Sequence, residues 1–493
     1  MREYSPRRRT ALVLTGSGAT GAYHAGVLKA LDESGVKLDV VVGSGVGTLG
    51  AAFAAVAGAA RLYGPEGFWR GVTWGSLYRL RPAFAVARVL LALVLVVFAL
   101  PLLAALLAGI AFPILLIADA IAPGSGSGLL TAFVAMPGVL RGPYLVALAT
   151  PAFAFCVMVA VLALRGLSRD RRRKAESFET LFDVDRARAR LAKSLWEVAR
   201  GIALAGKAPA EDEIGRRYIA LALENMGQPG FRELILRVGD LETGRALPFV
   251  LLQDAHRTAF AEARSRSARS RLEGLPGAVD LRVPENAALL FEAVLTGLVP
   301  PGVAAARRLA FPRGGLHAGE THRLADASLV GGSGLAEALE AGAEQVILVS
   351  GSAAEPGMPA RRRGPWALVD ASIAALERQA LEADLEHACR TNRLIEVLGH
   401  ETPEGGRAFE DPETGRRQRA FALYVVRPAS RTIGPLQLDG AVDPATEVEL
   451  GLDDLAEQGY RDAYRLFVEP VLGGGPEPRP DAADEHPERR LGL

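Results

Sequence analysis

The sequence predicts an α/β protein with a largely parallel central sheet, interrupted by a transmembrane helical hairpin. Near the start, Ala11 to Thr15 is a short apolar strand that runs through a glycine loop into the helical stretch Ala22 to Leu31. Much later, a short helix at Gly334 to Gly342 leads into the apolar strand Glu344 to Ser350. Strands and helices alternating in this way build parallel sheets closed by crossover helices. The hairpin rests on two long uncharged runs lying between these segments. At 493 residues the chain exceeds one ordinary domain, and its landmarks imply one α/β unit of about 270 residues plus additions.

The first loop places Gly16, Gly18 and Gly21 between strand and helix. Backbone N–H groups freed by such glycines, together with the positive end of the helix dipole, can hold a phosphate or a developing oxyanion. The same glycines fit the dinucleotide pattern G-x-G-x-x-G, which asks for an acidic residue at the end of the second strand. Asp39 instead precedes the strand Val40 to Val42, which makes the nucleotide reading the weaker alternative.

That second strand runs into Gly43, Ser44, Gly45, Val46 and Gly47, the outline of a nucleophile elbow G-x-S-x-G. Such an elbow thrusts its third residue at a substrate from a sharp strand-to-helix turn. Gly45 holds the third position and carries no hydroxyl. Ser44 is one place early, and re-registering the motif on it would need glycines where the chain has Val42 and Val46. It reads as a small turn residue. Ser17 and Ser328, the other hydroxyls of interest, read as loop residues satisfying local backbone groups. His24, one turn into the first helix, reads as a packing residue. His256, His317, His322, His387, His400 and His486 show no metal-ligand spacing such as H-E-x-x-H, so neither metal nor cofactor is expected.

Between elbow and second half lie the two apolar runs, thirty residues from Val89 to Ala118 and twenty-two from Pro143 to Leu164. About 20 apolar residues cross the hydrocarbon core, so each run is long enough to span, the first with room for a kink at Pro101 or Pro113. Neither shows the polar face of a soluble helix. Arg79, Arg81 and Arg88 precede the first run, and Arg165, Arg169, Arg171, Arg172, Arg173 and Lys174 follow the second, whereas the loop 120–142 offers only Arg141. The positive-inside rule puts both outer flanks and the globular part in the cytoplasm, on the inner membrane. Arg171 to Lys174 can also touch anionic head groups. Two cysteines, Cys156 and Cys389, give no disulfide framework. Fifty-six basic and fifty-six acidic residues cancel, which argues against a nucleic-acid partner and leaves membrane lipid as the expected one.

Past Ser350, residues 351–365 read as a linker, Trp366 to Leu398 as a helix, Gly405 to Arg417 as a polar excursion, Phe421 to Val426 as a strand and Leu452 to Val471 as a helix. Gly473 to Arg490 is dense in Gly, Pro and charge and is expected to be disordered.

The glycine loop after the first strand and the elbow after the second resemble the patatin-like phospholipase family. Leu181 to Asp183, Gly239 to Arg245, Glu292 to Pro301 and Leu324 to Leu335 continue the likeness through to about residue 350, and Asp439 to Pro470 resembles an extension of some bacterial members. The resemblance implies a three-layer α/β/α fold and a Ser–Asp dyad acting on lipid esters, with Asp326 on the dyad base position, Gly45 on the nucleophile position, and Gly16, Gly18 and Gly21 framing an oxyanion hole. Three departures fall on catalytic positions: Gly45 for the serine, Thr20 for a basic loop residue, and Ala327 with Ser328 for the glycine pair after Asp326. The expectation is a membrane-anchored lipid acyl hydrolase fold with activity weak or lost, or alternatively a non-catalytic lipid-binding scaffold. The implied organisation is a basic tail (1–9), a first part (10–80), the hairpin insertion (83–166), a second part (175–350), a C-terminal extension (366–472) and a tail (473–493).

Overall fold

The computed structural model describes residues 4–121, 146–147, 149–158, 160, 182–200, 208–270, 277–299, 304, 306–312, 317, 319–354, 367–401, 407–410, 417–429, 432–438, 441–442 and 449–467. Most of the 120–142 loop, the basic cluster Arg171 to Lys174, Leu181, Pro301, most of the 351–365 linker and the tail from Gly473 lie outside them. Residues 1–79 with 184–493 make one compact unit, and residues 80–183 another.

In the larger unit β1 (Thr10–Thr15) leads through the glycine loop into α1 (Thr20–Glu33), and β2 (Val40–Ser44) through a tight turn into α2 (Gly47–Ala54). β3 (Glu233–Asp240), β4 (Arg245–Leu251) and β5 (Val279–Asp280) follow. Next come α3 (Leu290–Gly297), β6 (Arg307–Ala310), β7 (Thr321–Ala325), α4 (Leu335–Glu340) and β8 (Gln345–Ser350). The long α5 (Ala367–Leu398), β9 (Ala422–Val426) and α6 (Leu452–Phe467) complete the set used below.

The strands form one nine-stranded sheet in the order β9-β8-β1-β2-β3-β4-β5, with β7 added against β3 and β6 against β7. β9, β8, β1, β2 and β3 pair in parallel, while β3–β4, β3–β7 and β6–β7 are antiparallel. This is the α/β class with a mostly parallel sheet. The apolar runs of β1, β2 and β8 are buried throughout, as parallel strands covered on both faces require. Side chains alternate across a strand. Ala11 and Val13 of β1 accordingly pack with Leu335 and Ala338 of α4 and Leu381 and Leu385 of α5, whereas Leu14 reaches Gly47 and Gly50 of α2 on the other face. Helices cover both faces, giving three layers.

The segment expected as an extension is built into this unit. β9 pairs with β8, with Ile347 opposite Tyr424, and α6 docks on α1, where Tyr23 donates to Asp462 Oδ2 at 2.9 Å. The polar excursion at Gly405 to Arg417 contributes two short strands, Arg407–Glu410 and Arg417–Arg419, to a small antiparallel sheet with His400–Glu401.

In the smaller unit a single helix runs from Pro82 to Ile121, forty residues. Leu95, Val96, Phe98, Leu106, Ile110, Ile114 and Ile117 along it are exposed. The described residues of 146–158 are helical too. Several side chains of the helix Pro82–Ile121 lie outside the described ones, and among the described residues no helix is long and apolar enough to cross a membrane.

Candidate functional site

Paired parallel strands bring the glycine loop and the elbow side by side, since Leu14 of β1 lies opposite Gly43 of β2 and both strands end there. This carboxyl edge is where open α/β sheets bind ligands. On the other flank Ser44 pairs with Arg237 of β3, and Gly239 of β3 with Ala325 of β7. The last pairing delivers Asp326, the residue after β7, to the elbow.

Gly45 has φ +61°, a left-handed conformation that glycine adopts without strain. Its carbonyl accepts from Thr48 N at 3.0 Å and Thr48 Oγ1 at 2.9 Å, which fixes the start of α2. A Cβ at Gly45 would lie 2.9 Å from Asp326 Oδ1 and 3.2 Å from Oδ2. The turn is thus that of an elbow, aimed at a carboxylate. The same Cβ would lie only 2.3 Å from the Gly16 carbonyl oxygen, which is held in place by the Val46 N–H at 2.8 Å.

Asp326 is 1% exposed. Its Oδ1 accepts from Ser328 N at 2.8 Å and its Oδ2 from Ser17 Oγ at 3.0 Å. Burial pushes its pKa up to about 6, against the hydrogen bonds from Ser328 and Ser17 and the charge of Arg237. Ser17, 0% exposed, also meets the carboxyl Oε1 of Glu377 on α5 in a short contact. Burial first, and then the charge of Asp326, push Glu377 up to about 8. A hydroxyl has one proton to donate. With Glu377 raised to about 8, its carboxyl O–H donates a hydrogen bond to Ser17 Oγ, and the Ser17 hydroxyl donates to Asp326 Oδ2. The result is a directed chain of three groups ending on a carboxylate.

Ser44 is turned elsewhere: its Oγ accepts from Arg237 Nη1 at 3.3 Å. Arg237 also donates to the carbonyls of Gly331 and Gly332 and pairs with buried Glu337 through Nε at 3.2 Å. His24 is buried, with Nε2 3.2 Å from the Thr15 carbonyl, and burial pushes its pKa down to about 3. It is the neutral packing residue expected, and its hydrogen bond is to backbone.

The three loop glycines have different fates. Gly16 turns its carbonyl into the site. Gly18, φ +56°, lies under Pro435, whose carbonyl oxygen would be 1.7 Å from any Cβ there. Gly21 donates its N–H to Gly18 O at 3.2 Å and packs against the Trp69 ring, inside α1. Thr20 fills the space between Gly16 and Gly351. The segment carrying Pro435 is strapped down by Ile433 N to Gly351 O at 2.8 Å and by buried Asp370, which accepts from Leu436 N at 2.8 Å and Gln437 Nε2 at 3.0 Å. What remains beside Gly45, Ser44, Asp326, Ser328 and Glu377 is a cavity of about 10 Å³, roughly room for one water.

Sequence reasoning missed Glu377. Its signal was present: it stands on the stripe Ile373, Glu377, Leu381, Leu385, spaced by four, where every other member is apolar and buried. It also gave the histidines no common site, yet ligand atoms of Asp240, His317 and His322 lie within 4.8 Å of one another.

No family model matches the chain. A stretch of 73 residues is 40% identical to Lysophospholipase nte1 of Aspergillus fumigatus, and equally to that of Neosartorya fischeri. It amounts to 15% of this chain and 5% of the length of those proteins. Among solved structures, VipD from Legionella pneumophila aligns over 94% of this chain and 67% of its own, with a TM-score of 0.33 and 12% identity.

Proposed function

We propose that this chain is a patatin-like relative of lipid acyl hydrolases that sits at a membrane, engages lipid and no longer hydrolyses esters. The observation that carries this reading is the filled space beside Asp326. A Ser–Asp dyad needs an alcohol within reach of the carboxylate and an ester carbonyl in front of the alcohol. Here the elbow residue is Gly45, the volume of its missing side chain is taken by the Gly16 carbonyl oxygen, and about 10 Å³ of cavity remains. Removing the nucleophile of a comparable hydrolase lowers kcat on the order of a million-fold.

The short likeness to Lysophospholipase nte1 supports the lipid side of this reading. The membrane side is supported by the uncharged run from Val89 to Ala118 within one helix with exposed apolar side chains, and by a second run from Pro143 to Leu164. The flanking arginines favour a cytoplasmic side of an inner membrane for the globular part, by the positive-inside rule.

The test is turnover of lysophospholipid, phospholipid and a simple aryl ester by purified protein beside Asp326→Asn. The expected result is background turnover for both. Turnover that Asp326→Asn abolishes would contradict the proposal. One observation favours a second reading, hydrolysis by Ser17: its Oγ lies 3.0 Å from Asp326 Oδ2. That reading requires the Pro435 segment to lift, because Ser17 is fully buried.

A further inference from the structure

We propose that Asp240, His317, Glu320 and His322 form a binding site for a divalent transition-metal ion of the zinc class. The four come from two places in the chain, Asp240 at the end of β3 and the rest from β7 and the turn before it, with Asp240 opposite Leu324 in the antiparallel ladder. His322 Nε2 lies 3.0 Å and His317 Nδ1 3.1 Å from the same Glu320 oxygen, Oε2. Donor atoms bound at zinc distances in a tetrahedron are separated by about 3.3 Å, so these contacts are close to the edges of a coordination shell.

The other half of the arrangement orients the ligands. Asp240 is wholly buried, and its Oδ2 lies 2.8 Å from His322 Nδ1. Its carboxylate is itself held by Glu242 N and the Thr243 hydroxyl, both at 3.0 Å. A carboxylate that accepts a hydrogen bond from Nδ1–H leaves the Nε2 lone pair for a metal and fixes the ring, the usual support of a metal-bound histidine. His317 Nε2 is buried and has no hydrogen-bond partner among the described residues. A neutral imidazole has one N–H and one lone pair, so a cation bound by the Nδ1 lone pair beside Glu320 Oε2 leaves the proton on Nε2.

His317 also holds a left-handed backbone, φ +58°, where a residue with a side chain rarely rests, and its ring centroid is 4.2 Å from that of His322. Phe311 closes one side, edge-on to His322. Two neutral imidazoles and two carboxylates balance a dication. Mixed nitrogen and oxygen donors suit zinc and its neighbours better than magnesium or calcium, which prefer oxygen alone. A bound ion would pin the turn between β6 and β7 to β3, four residues along β7 from Asp326.

The test uses full-length protein stripped with a chelator and then dialysed against zinc, with cobalt as a spectroscopic probe. One equivalent of zinc per chain, a melting temperature raised by several degrees and visible cobalt absorption of a tetrahedral site are expected. His322→Ala and Glu320→Gln are expected to lose the equivalent, whereas His387→Ala, outside the cluster, keeps it. Glu320 is exposed, so Glu320→Gln tests the ligand without disturbing the core. Zinc well short of one equivalent, or one equivalent retained by both variants, would overturn the proposal.

Discussion

Gly45 faces Asp326, with a Cβ position 2.9 Å from Asp326 Oδ1, and the Gly16 carbonyl oxygen lies 2.3 Å from that same position. The turn is left-handed and has no room for a side chain. Any side chain at 45 must both accept φ +61° and displace a carbonyl bonded to Val46.

Gly45→Ala is therefore expected to destabilise the protein by about 2–5 kcal/mol, from left-handed strain together with overpacking. Urea unfolding measures it. A change within about 0.5 kcal/mol, the range of an ordinary surface substitution, would show that the Gly16 carbonyl moves aside freely.

The carboxyl pair gives a pH signature. Glu377 is raised from 4.5 to about 8 and Asp326 from 3.8 to about 6, so the folded state binds more protons than the unfolded state between those values. Stability contributed by these groups is full below the unfolded values and falls as pH rises towards about 8. Glu377→Gln keeps a donor for Ser17 and removes the larger titration. Its unfolding free energy is expected to decline less between pH 4.5 and about 8 than that of the wild type. Parallel profiles would contradict the protonated state assigned to Glu377.

Much of this was legible in the sequence, for local reasons. Glycines that permit positive φ mark turns wherever they fall, so the loop at Gly16 and Gly18 and the elbow at Gly45 stand out. The buried strands β1, β2 and β8 stand out as apolar runs. What could not be read is set by distant contacts. Glu377 reaches Ser17 across 360 positions of chain. The inward carbonyl of Gly16 depends on a bond to Val46, and the cover over Gly18 on Pro435. Asp240 meets His322 only because β7 pairs with β3, a pairing that no spacing motif encodes.

The strap over the glycine loop hangs on Asp370, which is buried and accepts from Leu436 N and Gln437 Nε2. Asp370→Ala is expected to cost about 1–3 kcal/mol and to speed hydrogen exchange at the Leu436 amide. Unchanged exchange at Leu436 would mean that the segment is held by other contacts.

If the apolar runs lie in a bilayer, the full chain is expected to stay with membranes through alkaline carbonate extraction. Protease added on the cytoplasmic side is expected to cut the globular unit, and protease outside to reach residues 120–142. Release by carbonate, or cleavage of the globular unit from outside, would contradict the proposed anchoring.

On the proposed function, the Ser17 hydroxyl beside Asp326 is unreactive. Intact mass after treatment with a fluorophosphonate, which labels activated serines, tests it most directly. An unchanged mass is the expected result. A stoichiometric adduct that disappears in Ser17→Ala would contradict it and make Ser17 the nucleophile.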